Sequence, residues 1–326
     1  MNSPDYSRVR IAIHGGAGDL PANAGPQTAQ RAELERITAR AQQMLLQGAS
    51  ALDAVTYAVE HLEDCPMFNA GIGGVLNRDG APELDAAIMR GLDRGCGAVA
   101  GIARSRSPVR LARAVMEQSP HVLFSGAGAE LFGREQGLPS VEPAFFITEH
   151  RRAQLRIAQE QGVIVLDHDT EVPPPAAPDA AFGTVGAVAR DAYGELAAAT
   201  STGGLTNKRP GRVGDTPLPG IGTFADNRSL AVSCTGTGEA FIKACFGYDV
   251  HARMVYARES LIQATAQALA AVAQYQGCGG CIAIDADGRI HTPFNSKVMF
   301  RAWALGDTAV RVGVPPEDGF GGSVET

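Results

Sequence analysis

Gly183-Thr184-Val185-Gly186-Ala187-Val188-Ala189-Arg190-Asp191 is the stretch from which the rest of the chain can be read. Thr184 sits among small residues and opens a β-like run that turns at Asp191-Ala192-Tyr193-Gly194. The run returns as Glu195 to Thr200 and ends in Ser201-Thr202-Gly203-Gly204. This is a hairpin with hydroxyls at both ends. By itself a threonine at a strand start is only a β-branched residue in its preferred conformation. The preceding segment changes that reading, because Glu171-Val172-Pro173-Pro174-Pro175-Ala176-Ala177-Pro178 is too rich in proline for helix or sheet. A cut at Gly183–Thr184 would leave Thr184 with a hydroxyl and a free α-amine on one residue. An amine with a pKa near ~8 is a usable general base at neutral pH, and a threonine hydroxyl needs one to become a nucleophile.

The 326 residues are 45% hydrophobic and 19% charged, enough to bury the core of one large domain or two small ones. The 39 glycines are scattered among apolar runs, which points to tight turns and close backbone approaches rather than low complexity. A net charge of -7 without a Lys/Arg cluster argues against nucleic acid and anionic membranes as partners. Met1-Asn2-Ser3-Pro4-Asp5-Tyr6-Ser7 carries an acid and no apolar core, and no later stretch is long enough to span a bilayer. The expected compartment is therefore the cytoplasm. There Cys65, Cys96, Cys234, Cys245, Cys278 and Cys281 need no disulfides. Cys278-Gly279-Gly280-Cys281 has the spacing of a redox or half-zinc motif, but it lacks a partner pair and heads an apolar strand.

Val9 to Ile13 reads as a buried strand running into the glycine-rich turn His14-Gly15-Gly16-Ala17-Gly18. A dinucleotide fingerprint would open a helix directly, whereas Pro21, Gly25 and Pro26 intervene here. His14 reads as a strand-end residue making backbone contacts. Helical spacing of Leu34, Ile37, Ala41 and Leu45 predicts a helix over about 27–47, and a second begins at Ser50 with Asp53 completing a capping box. Its stripe is Leu52, Val55, Val59 and Leu62, and it stops at Pro66 in a compact loop before a strand over 84–89. Further on, a strand over 230–234, a long helix over about 254–274 and a hairpin around Asp287-Gly288 are expected. The alternation of strands and helices with antiparallel turns argues for stacked sheets covered by helices.

Two later segments carry chemistry. The loop around Gly211-Arg212-Val213-Gly214-Asp215 can present opposite charges to one zwitterionic ligand, Arg212 to a carboxylate and Asp215 to an ammonium. A surface salt bridge is the alternative reading. The turn Thr235-Gly236-Thr237-Gly238-Glu239 follows a strand and opens a helix, where backbone N–H groups await an oxyanion.

Taken together, six motifs resemble the plant-type asparaginases, also called isoaspartyl peptidases, of the N-terminal nucleophile hydrolases. They are Ile13 to Gly18, Cys65 to Gly71, Gly183 to Val188, Thr200 to Gly204, Gly211 to Asp215 and Thr235 to Glu239, in family order from about Ile11 to Trp303. The resemblance implies an α+β, four-layer αββα sandwich, made as a precursor that cuts itself between Gly183 and Thr184. Residues 1–183 would form an α subunit with a flexible linker at about 170–182, and residues 184–326 a β subunit, the two together making one αββα domain. Thr184 would be the nucleophile, with Thr202 orienting its hydroxyl. Arg212 would hold the substrate α-carboxylate and Asp215 its α-amine, Thr235 and Gly236 would form the oxyanion hole, and Gly238 would line the pocket. The loop matching 62–72 implies a structural sodium ion on the main-chain carbonyls of Leu62, Glu63, Cys65, Phe68, Ala70 and Ile72, with no cofactor for catalysis. The implied substrates are small molecules, L-asparagine and β-aspartyl dipeptides, and the implied assembly is an αβ heterodimer pairing into a dimer of heterodimers. Phe224 stands where the family more often carries tyrosine.

Other readings compete. A glycosylasparaginase resembles the chain at Arg212, Asp215 and Thr235, but typically has His-Asp before the nucleophile where this sequence has Phe182-Gly183. A non-catalytic binding homologue would keep the pocket without cutting itself, yet Thr184, Thr202 and Thr235 are all retained here.

Overall fold

The stripe Leu34, Ile37, Ala41 and Leu45 is the buried face of helix α1 (Thr28–Leu46). Ser50 caps α2 (Ala51–Glu63), its hydroxyl accepting from the Asp53 N–H, and Leu52, Val55, Val59 and Leu62 are buried along it. The computed structural model describes residues 3–19, 27–164 and 183–314, so the expected linker at 170–182 lies outside the described residues.

These helices cover a sheet of eight strands: β1 (Arg10–Gly18), β2 (Leu84–Arg90), β3 (Cys96–Ile102), β4 (Leu123–Ser125), β5 (Val185–Arg190), β6 (Leu196–Thr202), β11 (Val298–Leu305) and β12 (Arg311–Gly313). Their order is β12-β11-β1-β5-β6-β2-β3-β4. A second sheet has the order β10-β9-β8-β7 and is built from β7 (Thr223–Ala225), β8 (Leu230–Gly236), β9 (Gly279–Asp285) and β10 (Ile290–His291). Helix α3 (Pro108–Gln118) joins α1 and α2 on the larger sheet, and α4 (Gly126–Glu135) packs beside β3 and β4. Helix α5 (Glu149–Gln161) precedes the undescribed segment. On the smaller sheet lie α6 (Gly238–Ala244), α7 (Phe246–Tyr256) and α8 (Leu261–Gln274). The sheets face each other through β1, β5 and β6 against β8 and β9. This is the αββα sandwich expected.

The two-residue period of the strands sorts side chains between the layers. In β5, Val185, Ala187 and Ala189 join the core under α1–α3, while Val188 belongs to the core of the smaller sheet. By the same alternation Thr184 and Gly186 turn toward the gap between the sheets. In β6 Ala197 and Ala199 pack under the helices and Ala198 faces inward, so Thr200 and Thr202 share its face. The hairpin thus carries both of its hydroxyl ends to one edge of the gap.

Two expectations need correction. His14-Gly15-Gly16-Ala17-Gly18 is not a turn but the continuation of β1, which keeps pairing with β11 through a bulge between His14 and Gly16. A β11 partner absorbs the glycines into a ladder. The helix expected over 254–274 is two helices. Arg258 adopts φ 59, and Ser260 starts α8 with a capping box in which Gln263 completes the reciprocal bonds. Strands β3 and β11 were not anticipated, although β11 pairs directly with β1.

Gly97 in β3 lets α3 rest on bare backbone, because a Cβ there would collide with the Ala112 carbonyl oxygen and lie 2.5 Å from the Met116 nitrogen. Gly97→Ala should therefore destabilise the fold by about 1 to 3 kcal/mol through overpacking. Urea unfolding followed by circular dichroism measures this, and an unchanged midpoint would mean that the helix slides freely over the sheet.

Candidate active site

The first residue before β5 and the last residue of β6 meet at the gap edge. The Thr184 hydroxyl donates to Thr202 Oγ1 at 2.9 Å, and Thr202 Oγ1 also accepts from the Gly204 N–H at 3.0 Å. Both hydroxyls line one pocket with Ala17, Asn69, Gly183, Gly204 and Leu205 on one side and Arg212, Gly214, Asp215, Thr216, Thr235 and Gly236 on the other. Thus Thr184, Thr202, Arg212, Asp215, Thr235 and Gly236, spread over residues 184–236, are brought together on one pocket. Gly183, the residue before Thr184, forms part of the pocket wall.

Thr235 closes β8 toward the gap. Its hydroxyl oxygen accepts from the Ala17 N–H at 3.2 Å, so its own proton stays available for another acceptor. In antiparallel pairing successive N–H groups alternate sides. The Cys234 N–H bonds Gly222 O at 2.9 Å beyond the start of β7, so the Gly236 N–H, two residues on, falls past the end of β7 and into the pocket side. A hydroxyl proton and an amide proton therefore converge where an oxyanion would sit.

Asp215 is 4% exposed, and its Oδ2 carries no hydrogen-bond partner. Burial pushes its carboxyl up to about 7. A buried carboxylate without a cation is costly, and an ammonium would relieve the cost. Arg212 is not free: its Nε and Nη2 donate to Glu239 Oε1 and Oε2, each at 2.8 Å. The paired Glu239 carboxylate is held below its usual range by the same guanidinium. The salt-bridge reading of Arg212 is therefore realised, and Arg212 lines the pocket as well. Gly238 is placed differently from expectation. It does not line the pocket but backs the two charged groups, since a Cβ there would stand 2.9 Å from Asp215 Oδ1 and 3.1 Å from Arg212 Nη2.

Two residues escaped the sequence reading. Glu239 was seen only as part of a helix start, although an acid in the first turn of α6 is well placed to hold an arginine. Asn69 lay inside a quoted motif without a role. Its Nδ2 donates to Gly204 O at 2.8 Å, its Oδ1 accepts from Val75 N at 2.9 Å, and its own carbonyl accepts from Gly203 N at 3.1 Å, tying the 64–75 loop to the end of β6. Of the six residues expected to hold sodium, Leu62 and Glu63 end α2, and Cys65, Phe68, Ala70 and Ile72 lie in that loop. Glu63 O accepts from Ile72 N at 2.7 Å, folding the loop back onto the helix end. Cys281 is buried opposite Cys234, and among the described residues no group of three His, Cys, Asp or Glu side chains could hold a metal. No described helix is long and apolar enough to cross a membrane.

Residues 7–314 match the family described as asparaginase. The chain is 51% identical to the isoaspartyl peptidase of Salmonella typhimurium strain LT2, covering 93% of this chain and 97% of that protein. It is 49% identical to the isoaspartyl peptidase of Escherichia coli K12, over 95% and 97% of the two chains. It is also 38% identical to the isoaspartyl peptidase/L-asparaginase of Xenopus laevis, over 93% and 94%.

With its folded value near 7 and an unfolded one near ~4, the Asp215 carboxyl keeps a proton in the folded chain that the unfolded chain has lost. Its stabilising contribution is full below about pH 4 and is lost as pH rises through about 7. Asp215→Asn should thus raise the melting temperature of the ligand-free protein at pH 8 by roughly 2 to 5 °C and leave it nearly unchanged at pH 4. Thermal scans of both proteins at the two pH values check this; equal shifts at both would assign the effect to packing.

Proposed function

Because this chain belongs to the asparaginase family of hydrolases, we propose that it releases ammonia from L-asparagine and cleaves β-aspartyl dipeptides through an ester on Thr184. The observation that carries the reading is the convergence of the Thr184–Thr202 hydroxyl pair, an unpartnered buried carboxylate and two free oxyanion donors on one pocket. The names of the relatives, isoaspartyl peptidase and isoaspartyl peptidase/L-asparaginase, supply the substrates.

The precursor cuts itself at Gly183–Thr184, because the attacking hydroxyl is held beside its own preceding carbonyl and the reaction is intramolecular. The cut divides the chain into an α subunit, 1–183, and a β subunit, 184–326. It also frees Gly183 to leave the pocket wall. The new α-amine takes the Thr184 hydroxyl proton while Oγ1 attacks the side-chain amide carbon of asparagine or the isopeptide carbon of the dipeptide. Asp215 holds the substrate ammonium, and the Arg212 edge not taken by Glu239 holds its carboxylate. The Thr235 hydroxyl and Gly236 N–H hold the oxyanion, the amine departs, and water hydrolyses the β-aspartyl ester.

A structural sodium ion suits the 62–72 loop on chemical grounds. The carbonyls of Leu62 and Glu63 stand at the negative end of the α2 dipole, each with one N–H bonded and a second lone pair to offer. The Glu63 carboxylate is engaged elsewhere, by Ser107 Oγ at 2.7 Å and Val109 N at 2.8 Å, which leaves a neutral oxygen set fitted to a monovalent hard cation. Replacing sodium by choline in the buffer should lower the melting temperature, and an identical transition would remove sodium from the account. Two αβ heterodimers pair in the cytoplasm in this reading, a mass that light scattering reports.

Intact-mass spectrometry tests the central claim: wild type should give two fragments meeting at Gly183–Thr184, and Thr184→Ala one intact chain. Acid quench during turnover of asparagine, followed by peptide mapping, should place an aspartyl adduct on the first residue of the second fragment. A correctly folded wild type that stays whole on long incubation, or an adduct on any other residue, refutes the mechanism.

A further inference from the structure

His14 ends a line of buried hydroxyls that the reaction described above does not use. Thr223 Oγ1 donates to Thr200 Oγ1 at 2.7 Å, Thr200 Oγ1 meets Ser233 Oγ at 2.7 Å, and Ser233 Oγ meets His14 Nε2 at 2.9 Å. All four side chains are fully buried. Each hydroxyl has one proton to give. With the Thr223 proton on Thr200, the short contact sends the Thr200 proton to Ser233, rather than to Gly222 O at 3.3 Å. Ser233 then donates to His14 Nε2. In that arrangement the imidazole accepts at Nε2 and carries its own proton on Nδ1.

Nδ1 is buried and has no hydrogen-bond partner, and the main chain of Thr184, two residues before the Gly186 that pairs with His14, lies close enough to act on the ring. The ladder of β1 with β5 stops at His14 opposite Gly186, and that of β5 with β6 starts at Val185 opposite Ser201. Neither ladder reaches Thr184. Room for the imidazole comes from Gly186, where a Cβ would collide with Ser233 Oγ and stand 2.5 Å from His14 Nε2. At its other end the hydroxyl line touches the substrate loop: Thr223 Oγ1 lies 3.2 Å from Thr216 O, and Asp215 O accepts from Gly222 N at 3.2 Å.

We propose that His14 is a positioning residue for Thr184, its Nδ1–H aimed at the nucleophile's main chain by the one-way hydroxyl line from Thr223 through Thr200 and Ser233. The proposal rests on Thr184 being the nucleophile. Burial keeps the imidazole neutral, with its value lowered to about 3, so it takes no part in proton transfer near pH 7. Its function is to fix the peptide plane from which the Thr184 hydroxyl and amine project, and to link that plane to the loop that carries Asp215.

Two substitutions separate positioning from mere packing. His14→Asn places an amide N–H where Nδ1 stands and gives up the bond to Ser233, whereas His14→Gln reaches Ser233 and leaves Thr184 without a donor. Asparagine in place of His14 should keep self-cleavage and kcat within about threefold of wild type, and glutamine should lower both about tenfold or more with KM changed less than twofold. The reverse ranking, equal losses, or a loss confined to KM overturns the proposal. A measurement on the unmodified protein stands beside it: nitrogen-15 histidine spectra should show His14 as a neutral imidazole protonated at Nδ1, and an Nε2–H form overturns the proposal even if neither variant folds. Should wild type neither cut itself nor hydrolyse asparagine, the reaction fails, while the tautomer still decides the placement of the proton.

Discussion

The register of one hairpin sets the position of everything else at the gap between the sheets. Val185 stands opposite Ser201 and Gly186 opposite Thr200, so Thr184 and Thr202 come level at the open end and their hydroxyls meet at 2.9 Å. A slip of one residue would turn both hydroxyls to the helical side and bury Val185 in the gap instead. The hairpin cannot slip, because both faces of it are committed: Ala187, Ala189, Ala197 and Ala199 fill the core beneath α2, and Val188 and Ala198 meet the smaller sheet. The alanine-rich sequence is what lets helices and sheet approach this closely on either side. The geometry of two oxygens is thus an outcome of packing along the whole length of β5 and β6.

Around that pair the structure separates charges rather than cancelling them locally. Arg212 is satisfied by Glu239, and Lys208 is buried with its ammonium on the Glu83 carbonyl at 2.7 Å, under Gly204. Asp215 alone of the pocket's charged groups has an oxygen with no partner. In the proposed reading that deficit is what a substrate ammonium would fill, while a substrate carboxylate would have to share Arg212 with Glu239.

Much of this was legible from the residues. The stripes of α1 and α2 announced their buried faces, the capping serine at 50 announced a start, and the proline-preceded hairpin announced Thr184. The failures have physical causes. Periodicity ran across the break at Arg258, although Ser260 and Gln263 held a readable capping signal that stripes alone obscure. The glycines of β1 resembled a turn because their ladder partner, β11, comes more than 280 residues later. Arg212 with Glu239, and His14 with Ser233, are contacts between segments that only the fold brings together, so no local pattern could have assigned them.

The position of Gly183 bears on why one hydroxyl would serve two reactions. Gly183 stands on the wall of the cavity, and the glycine at 16, with φ 117, presses its backbone against Gly183 from β1. Thr235 and Gly236 line the same cavity as Gly183, so in the proposed mechanism they would face first the Gly183 carbonyl and then that of asparagine. One set of donors can serve both because the scissile peptide and the substrate amide are chemically alike and are attacked by the same oxygen. Selection for the second reaction then preserves the first, since any displacement of Thr184 that spoils hydrolysis also spoils the cut that makes its amine.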